Sequence, residues 1–149
     1  MRWLDLPPIW LCLFLAVAWW QAALWSYGLT FGPVWADLLG GLLVGAGVIL
    51  MALAVFEMRR ARTTVIPHLE PSQIVTTGIF SRTRNPIYLG DALVLTGLIL
   101  AWDSVLSLPL VPIFVWLIER RFIIGEEARL NARFPDAFAQ YAGKTRRWL

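Results

Sequence analysis

Charged side chains are scarce in this chain of 149 residues: they make up 15% of it, whereas hydrophobic residues make up 58%. Typical globular chains have about 25% charged and roughly 45–50% apolar residues. A soluble single domain of this length has too much surface for its volume to hide so much apolar side chain. The composition therefore excludes soluble, disordered and fibrous proteins, and it indicates a membrane protein.

Cysteine and histidine are nearly absent as well. The single cysteine, Cys12, lies inside an apolar run, which excludes a disulfide framework and a cysteine metal cluster. The single histidine, His68, is expected to be a polar loop residue rather than a catalytic base. We therefore predict no metal site, and we expect no nucleic-acid partner.

Long stretches without any formal charge predict the membrane-spanning helices. No charge occurs between Asp5 and Asp37, or in residues 38–56, which as a helix would cover about 28 Å, close to the hydrocarbon thickness. Two further apolar stretches follow, the second with Pro109 and Pro112 near its start, where a helix tolerates proline. We predict an all-α integral membrane protein with four spans, at about residues 9–27, 38–56, 87–102 and 104–124.

The N-terminal apolar run has some features of a secretory signal. Arg2 precedes it, and residues 16–18 have the small-residue pattern of a cleavage site. The run continues through Trp19, Trp20 and Trp25 instead of ending in a polar segment. We therefore expect this segment to be retained as the first span.

The basic residues predict the orientation. One is Arg2, five lie in residues 59–84 and seven lie in residues 120–147, whereas residues 28–37 and 103–108 have none. Four spans place all 13 basic residues on one side of the membrane, which the positive-inside rule assigns to the cytoplasm. The sequence predicts a multi-pass protein of a bacterial or archaeal inner membrane, with both termini cytoplasmic.

The first cytoplasmic segment ends at a predicted helix start. Pro86 suits the first turn of a helix and Asn85 is placed to cap it, whereas residues 73–77 alternate weakly and suit short extended structure. The free N–H groups of such a helix start can bind a carboxylate or phosphate. Asp91, one turn further, is either an acid that compensates the helix dipole near the interface or a functional intramembrane acid.

The second cytoplasmic segment contains adjacent carboxylates. Glu126 and Glu127 point about 100° apart on a helix, so they do not share one proton. An apolar stripe at helical spacing follows them, which predicts a helix that packs on the membrane surface or on the protein. The stripe consists of Leu130, Phe134, Ala137, Phe138 and Tyr141.

Two short motifs in this order resemble the integral-membrane methyltransferases, which include the isoprenylcysteine carboxyl methyltransferases and the phospholipid N-methyltransferases. The first is Gly78-Ile79-Phe80 followed by Arg84-Asn85-Pro86-Ile87-Tyr88-Leu89-Gly90, and the second is the Glu126-Glu127 pair with the stripe after it. A predicted helical hairpin separates them, and the resemblance covers about residues 63–149.

The resemblance implies S-adenosylmethionine as the cofactor, with S-adenosylhomocysteine as the product. It places the cofactor in a cytoplasmic pocket built from residues 72–90 and 119–147 of a single domain, residues 1–149. Phe80 stands where the family often has tyrosine, so a ring contact remains without a hydroxyl. The cofactor-binding residues implied are Gln73, Ile74, Val75, Phe80, Asn85, Pro86, Ile87, Tyr88 and Glu126.

The substrate half of the family pattern is matched less well. The isoprenylcysteine enzymes have a substrate-binding arginine four residues before the glutamate pair, where this chain has Phe122, with Arg121 beside it as the candidate substrate residue. Arg84 is the candidate catalytic residue that orients an anionic nucleophile, or else an interfacial anchor. Glu127 is the candidate base for an amine acceptor, with Asp91 as the alternative. Arg146 and Arg147 cover the cofactor or bind lipid phosphates.

These features predict a membrane methyltransferase that acts on a lipophilic acceptor similar to an isoprenylcysteine carboxylate. O-methyl transfer is favoured because a carboxylate needs no base. The alternatives are methylation of a phospholipid amine or a small thiol, and, in another class, a non-catalytic protein that binds membrane lipids. The acceptor is expected to reach the site from the bilayer, between the third and fourth helices.

Overall fold

All regular secondary-structure elements in the described part of the chain are helices. A computed structural model of the protein describes residues 6–32, 34–63 and 73–149. His68 and Ser72 lie outside these residues, so the prediction for His68 and the first residue of the 72–90 element stay predictions. The α-helices are α1 (Pro7–Leu24), α2 (Trp35–Arg60), α3 (Pro86–Ala101), α4 (Leu110–Ile118), α5 (Ile124–Arg133) and α6 (Pro135–Lys144).

Helices α1 and α2 are long and apolar enough to cross a membrane. α1 ends at Leu24, three residues before the predicted limit, and Tyr27 and Gly28 then adopt left-handed backbone conformations. α2 has 26 residues and continues past the predicted limit of Phe56 to Arg60. The arginine stems at that end can lie along apolar surface while their charges reach water, so the helix need not end with the apolar run.

Helices α2 and α3 are antiparallel and meet through glycines. A Cβ atom on Gly47 would lie 2.6 Å from the carbonyl oxygen of Gly90, and one on Gly97 would lie 2.5 Å from that of Gly40. In each helix the two glycines are seven residues apart, so they lie on the same face. Small residues allow such close backbone approach, which is how apolar helices pack tightly in membranes.

Helix α3 is the most buried helix, and it packs on α1 and α4 as well. Leu95 and Ile99 of α3 form a core with Phe14 of α1 and Phe114 of α4, whose rings make an edge-to-face contact with centroids 5.2 Å apart. α3 has 16 residues, so it is about 24 Å long and shorter than α1 and α2. The apolar residues of α1 and α2 that face away from this core are exposed.

The fourth span was predicted at residues 104–124, but its helix begins later and the chain stays helical beyond residue 124. Residues 105–107 form a 3₁₀ turn and α4 begins at Leu110, so Pro112 lies in its first turn, where its missing N–H leaves no bond unmade. After Ile118 a π-helical segment, Glu119–Ile123, leads directly into α5. Within the described residues, two helices, α1 and α2, are long and apolar enough to span a membrane, and the other two spans stay a prediction.

Candidate functional site

A cavity of about 410 Å³ lies where the start of α1 and the end of α2 meet the segment before α3 and helices α5 and α6. This volume is in the range of small-molecule sites, which are about 300–1,000 Å³. Its wall is mainly apolar, with two carboxylates and two guanidinium groups. The two motif segments, 73–88 and 126–141, provide most of the lining.

All of the cofactor-binding and catalytic residues assigned from the sequence line this cavity, whereas Arg121, Arg146 and Arg147 do not. The segment before α3 and the first turns of α3 contribute Gln73, Ile74, Val75, Phe80, Arg84, Asn85, Pro86, Ile87 and Tyr88, and α5 contributes Glu126 and Glu127. The structure brings these residues together, and their roles stay predictions. Residues 73–77 form no strand, and the amide of Gln73 donates to the carbonyl of Ala61 at the end of α2.

Tyr88 joins α3 to α5. Its hydroxyl donates to Oε1 of Glu126 over 2.6 Å, and its side chain is buried against the ring of Phe122. This distance is short, as is usual for a hydrogen bond to a carboxylate. The bond fixes one carboxylate oxygen of Glu126 at the cavity wall.

Glu127 points away from Glu126, as the angle of about 100° between adjacent helical positions predicts. It lies between two arginines. Its Oε1 lies 3.0 Å from Nη2 of Arg84, and its Oε2 lies 2.6 Å from Nη2 of Arg147. The side chains of Arg84 and Glu127 are only 14% and 15% exposed, so water screens this pair little. Both oxygens of Glu127 are thus bonded to guanidinium groups.

Arg84 is held by several contacts, but its Nε–H has no acceptor among the described residues. Its Nη1 donates to the carbonyl of Ala142 over 3.4 Å, and its guanidinium lies 5.9 Å from the ring centroid of Phe138. Its Nε is buried, and no group in the described residues accepts its hydrogen. The hydroxyl of Thr63, another lining residue, is buried and unpaired in the same sense. Such orphaned groups at a cavity wall suit a polar ligand that can bond to them.

The loop before α3 is fixed to α2 and α6. Thr77 donates to Oε2 of Glu57 over 2.8 Å, and Gly78 follows with a φ of +56°, so close to Glu57 that a Cβ atom would lie 2.6 Å from its carboxyl carbon. The hydroxyl of Tyr141 donates to the carbonyl of Phe80 over 2.7 Å. Burial raises the pKa of Tyr141 above its usual value, so this hydroxyl keeps its proton.

Arg121 is the exception among the predicted site residues, because it lines no part of the cavity. Its guanidinium lies 5.2 Å from the ring centroid of Trp10 in α1. Arg121 neighbours Phe122, the position that the family pattern names, and adjacent helical positions point about 100° apart. A π-helical segment, Glu119–Ile123, includes both residues.

Asn85 and Asp91, at the start of α3, also differ from what the sequence predicts. Asn85 occupies the N-cap position, but its side-chain amide donates to the carbonyl of Arg147 over 3.0 Å instead of capping the helix. Asp91 is buried against the rest of the protein, with 4% of its surface exposed, although an acid that only compensates the helix dipole near the interface need not be buried. Its Oδ2 has no hydrogen-bond partner among the described residues, and Asp91 does not line the cavity.

Several lining residues had no sequence motif to indicate them. Leu6, Pro7 and Pro8 at the start of α1, and Met58 at the end of α2, are apolar residues outside both motifs. Only the fold shows that these helix ends meet at the cavity. Arg129 also lines the cavity. Leu130, Phe138 and Tyr141 of the apolar stripe line it as well, so these stripe residues face the protein.

Comparison with known proteins gives the family. The family model "Phospholipid methyltransferase" (PEMT) matches residues 35–137, well over half of the chain. No curated protein and no solved structure matches significantly. The matched region runs from α2 into α6 and includes the first motif segment of the cavity wall and the second as far as residue 137. The chain therefore belongs to the phospholipid methyltransferase family, and it is an integral-membrane methyltransferase.

Proposed function

We propose that the cavity binds S-adenosylmethionine and that the protein transfers its methyl group to a lipophilic acceptor. The observation that carries this proposal is the cavity itself, which joins both motif segments and has two carboxylates and Arg84 in an otherwise apolar wall. Its volume suits a ligand of this size. The orphaned Nε of Arg84 and hydroxyl of Thr63 suit a ligand with polar groups at both ends.

The cavity residues fit the charges of this cofactor. Glu126, held by Tyr88, would accept hydrogen bonds from the cofactor's ammonium or ribose hydroxyl groups. The apolar side chains of Ile74, Val75 and Phe80 would pack on its adenine ring. When bound, S-adenosylmethionine supplies an electrophilic methyl group on a sulfonium ion, so the protein's tasks are to align the acceptor and exclude water.

The ion pairs of the site favour an acceptor that is already an anion. A carboxylate or thiolate attacks the methyl group without losing a proton, whereas an amine needs a base. Both oxygens of Glu127 bond to guanidinium groups, which leaves that residue poorly placed as a base. We propose that Arg84 orients a carboxylate similar to that of an isoprenylcysteine, and that Glu127 positions Arg84.

We place the acceptor's apolar part at the start of α1. Leu6, Pro7 and Pro8 line the cavity, whereas none of its lining residues belongs to α4. This replaces the expected path between the third and fourth helices. An acceptor held there keeps its hydrocarbon next to the apolar bundle while its charged end reaches Arg84.

Isothermal titration calorimetry in detergent tests the cofactor. We expect saturable binding of S-adenosylmethionine or S-adenosylhomocysteine, and no binding at millimolar ligand would overturn the proposal in favour of a non-catalytic lipid-binding protein. Transfer of a tritiated methyl group to a prenylcysteine, phosphatidylethanolamine and a small thiol then identifies the acceptor. Labelling of the amine or thiol but not the prenylcysteine would replace the anionic acceptor with one of the alternatives.

We propose further that α3 and the α4–α5 helix also cross the membrane in one domain, with both termini in the cytoplasm. The basis is that four spans place all 13 basic residues on the same side of the membrane. In a Cys12→Ser background, Gly143→Cys should be labelled by a membrane-impermeant maleimide only after the membrane is opened. Ser26→Cys should be labelled in intact cells, and the reverse pattern would refute this orientation.

A further inference from the structure

The C-terminal tail, residues 145–149, lies against the segment that leads into α3. The backbone N–H of Arg84 donates to the carbonyl of Arg146 over 3.0 Å. The carbonyl of Arg147 accepts from Nδ2 of Asn85 over 3.0 Å and from Oγ1 of Thr83 over 3.2 Å. This tail lies after residue 137, where the match to the family model ends.

The side chain of Arg147 joins the tail to two acidic residues of the α4–α5 helix. Its Nε and Nη2 donate to the two oxygens of Glu127 over 3.1 and 2.6 Å, and its Nη1 donates to Glu119 over 2.7 Å. The indole N–H of Trp148 donates to the other oxygen of Glu119 over 3.0 Å. The bonds to Glu127 raise the pKa of Arg147 above its usual value.

Glu127 is therefore shared unequally between two guanidinium groups. Arg147 pairs with both of its oxygens, whereas Arg84 has a single contact with Oε1. An arginine and a carboxylate that face each other alone tend to pair through two parallel hydrogen bonds. Without Arg147, Glu127 would be free to pair in this way with Arg84 and to occupy the donors that Arg84 presents to the cavity.

We propose that Arg147 is a positioning residue for methyl transfer: it holds Glu127 so that Arg84 stays available to the anionic group of a bound ligand. This inference rests on the proposed function for the identity of the ligand, but the availability of Arg84 can be measured without one. Arg147 touches neither cofactor nor acceptor in this arrangement, because it is not among the residues that line the cavity.

The ligand-free test is chemical modification of Arg84 by phenylglyoxal in the purified protein, followed by peptide mass spectrometry. We expect Arg147→Ala to slow the modification of Arg84 and Arg147→Lys, which keeps one ion pair with Glu127, to restore part of the rate. Arg146→Ala is the matched control, because Arg146 is exposed and its bond to Arg84 is made by the backbone. An unchanged or faster rate in Arg147→Ala would overturn the inference.

The kinetic test uses the prenylcysteine acceptor and wild-type, Arg147→Ala, Arg84→Ala and double-variant proteins. We expect Arg147→Ala to raise the KM for the acceptor about tenfold with a smaller change in kcat, the size of coupling seen within one ion-pair network. The effect should vanish in the Arg84→Ala background, because Arg147 acts through Arg84, whereas a persisting effect would overturn the inference. A wild-type protein that methylates nothing would overturn the proposed function instead, and the modification rates would still decide the role of Arg147.

Discussion

Helices α2 and α3 meet through glycines, whereas α3 and α5 meet at the cavity through a tyrosine and a glutamate. In the first contact the backbones of Gly47 and Gly90 approach so closely that no side chain fits between them. In the second, Tyr88 and Glu126 are joined by a 2.6 Å hydrogen bond beside a cavity of about 410 Å³. One face of α3 can therefore tolerate no added atom, and another face, near the same end of the helix, is built around space for a ligand.

The difference shows how one helix contributes to both stability and chemistry. Close apolar packing along α2 fixes where α3 begins, since Gly90 lies only two residues after Tyr88. The polar groups before and in the first turn of α3 then reach the cavity at set positions. Changes at the glycines should act on folding, and changes at the cavity should act on binding and turnover.

The largest effect is expected where a side chain is forced between α2 and α3. Gly47→Leu should destabilise the protein by at least about 3 kcal/mol, the upper end of the usual cost of overpacking, because the added atoms meet backbone. Gly45→Leu is the control, since nothing lies within 4 Å of a Cβ atom there. Thermal unfolding in detergent measures both, and equal midpoints would show that the glycine contact is not essential.

At the cavity end the largest effect is expected from Arg84. Arg84→Ala should reduce turnover of an anionic acceptor about 10–100-fold, the loss expected when a hydrogen bond to a charged group is removed. Arg121→Ala should change turnover less than about twofold, because Arg121 contacts Trp10 away from the cavity. Initial rates of methyl transfer at a fixed acceptor concentration in the membrane measure the two variants. A larger loss for Arg121→Ala would return it to the substrate site.

A smaller effect is expected from the bond between α3 and α5. Tyr88→Phe keeps the buried ring and removes only the hydroxyl that orients Glu126, so cofactor affinity should fall about fivefold. Glu126→Ala should weaken binding more, by about 1–3 kcal/mol, because it removes the charge itself. Calorimetric titration with S-adenosylhomocysteine checks both variants, with Tyr27→Phe as an exposed control. Parental affinity in Glu126→Ala would remove that residue from the site.

Much of this organisation could be predicted from the sequence, but only where the signal is local. Charge-free runs located α1 and α2 to within a few residues, and the two motifs named residues that the fold gathers around one cavity. The start of α1 gave no such signal, because Leu6 and Pro8 resemble any apolar helix end. Arg121 lies outside the cavity wall, and its role as a substrate residue stays a prediction, because a neighbour of the position that the family pattern names points about 100° away on a helix.

The polar tail residues were harder still to predict. Arg146 and Arg147 are adjacent and chemically identical, so the sequence alone could not separate them. The fold does: Arg147 pairs with Glu119 and Glu127, whereas Arg146 bonds through its backbone. Pairings across 20 or 28 residues depend on how α5 and the tail meet, which no local pattern specifies.

The smallest effect is expected at the end of α3 away from the cavity. Asp103, with a φ of +55°, accepts a 2.7 Å hydrogen bond from the N–H of Phe31, and hydrogen bonds with Thr30 and Phe31 lower its pKa. A carboxylate with a lowered pKa stabilises the fold above its unfolded-state pKa of about 3.9, and this contribution is lost as the pH falls through the folded-state value. Asp103→Asn tolerates the same backbone conformation but lacks the charge. It should therefore melt slightly below the wild type at pH 7, and the difference should shrink as the pH falls below about 3.9. A difference that does not shrink on acidification would mean that the charge of Asp103 is not what holds this loop.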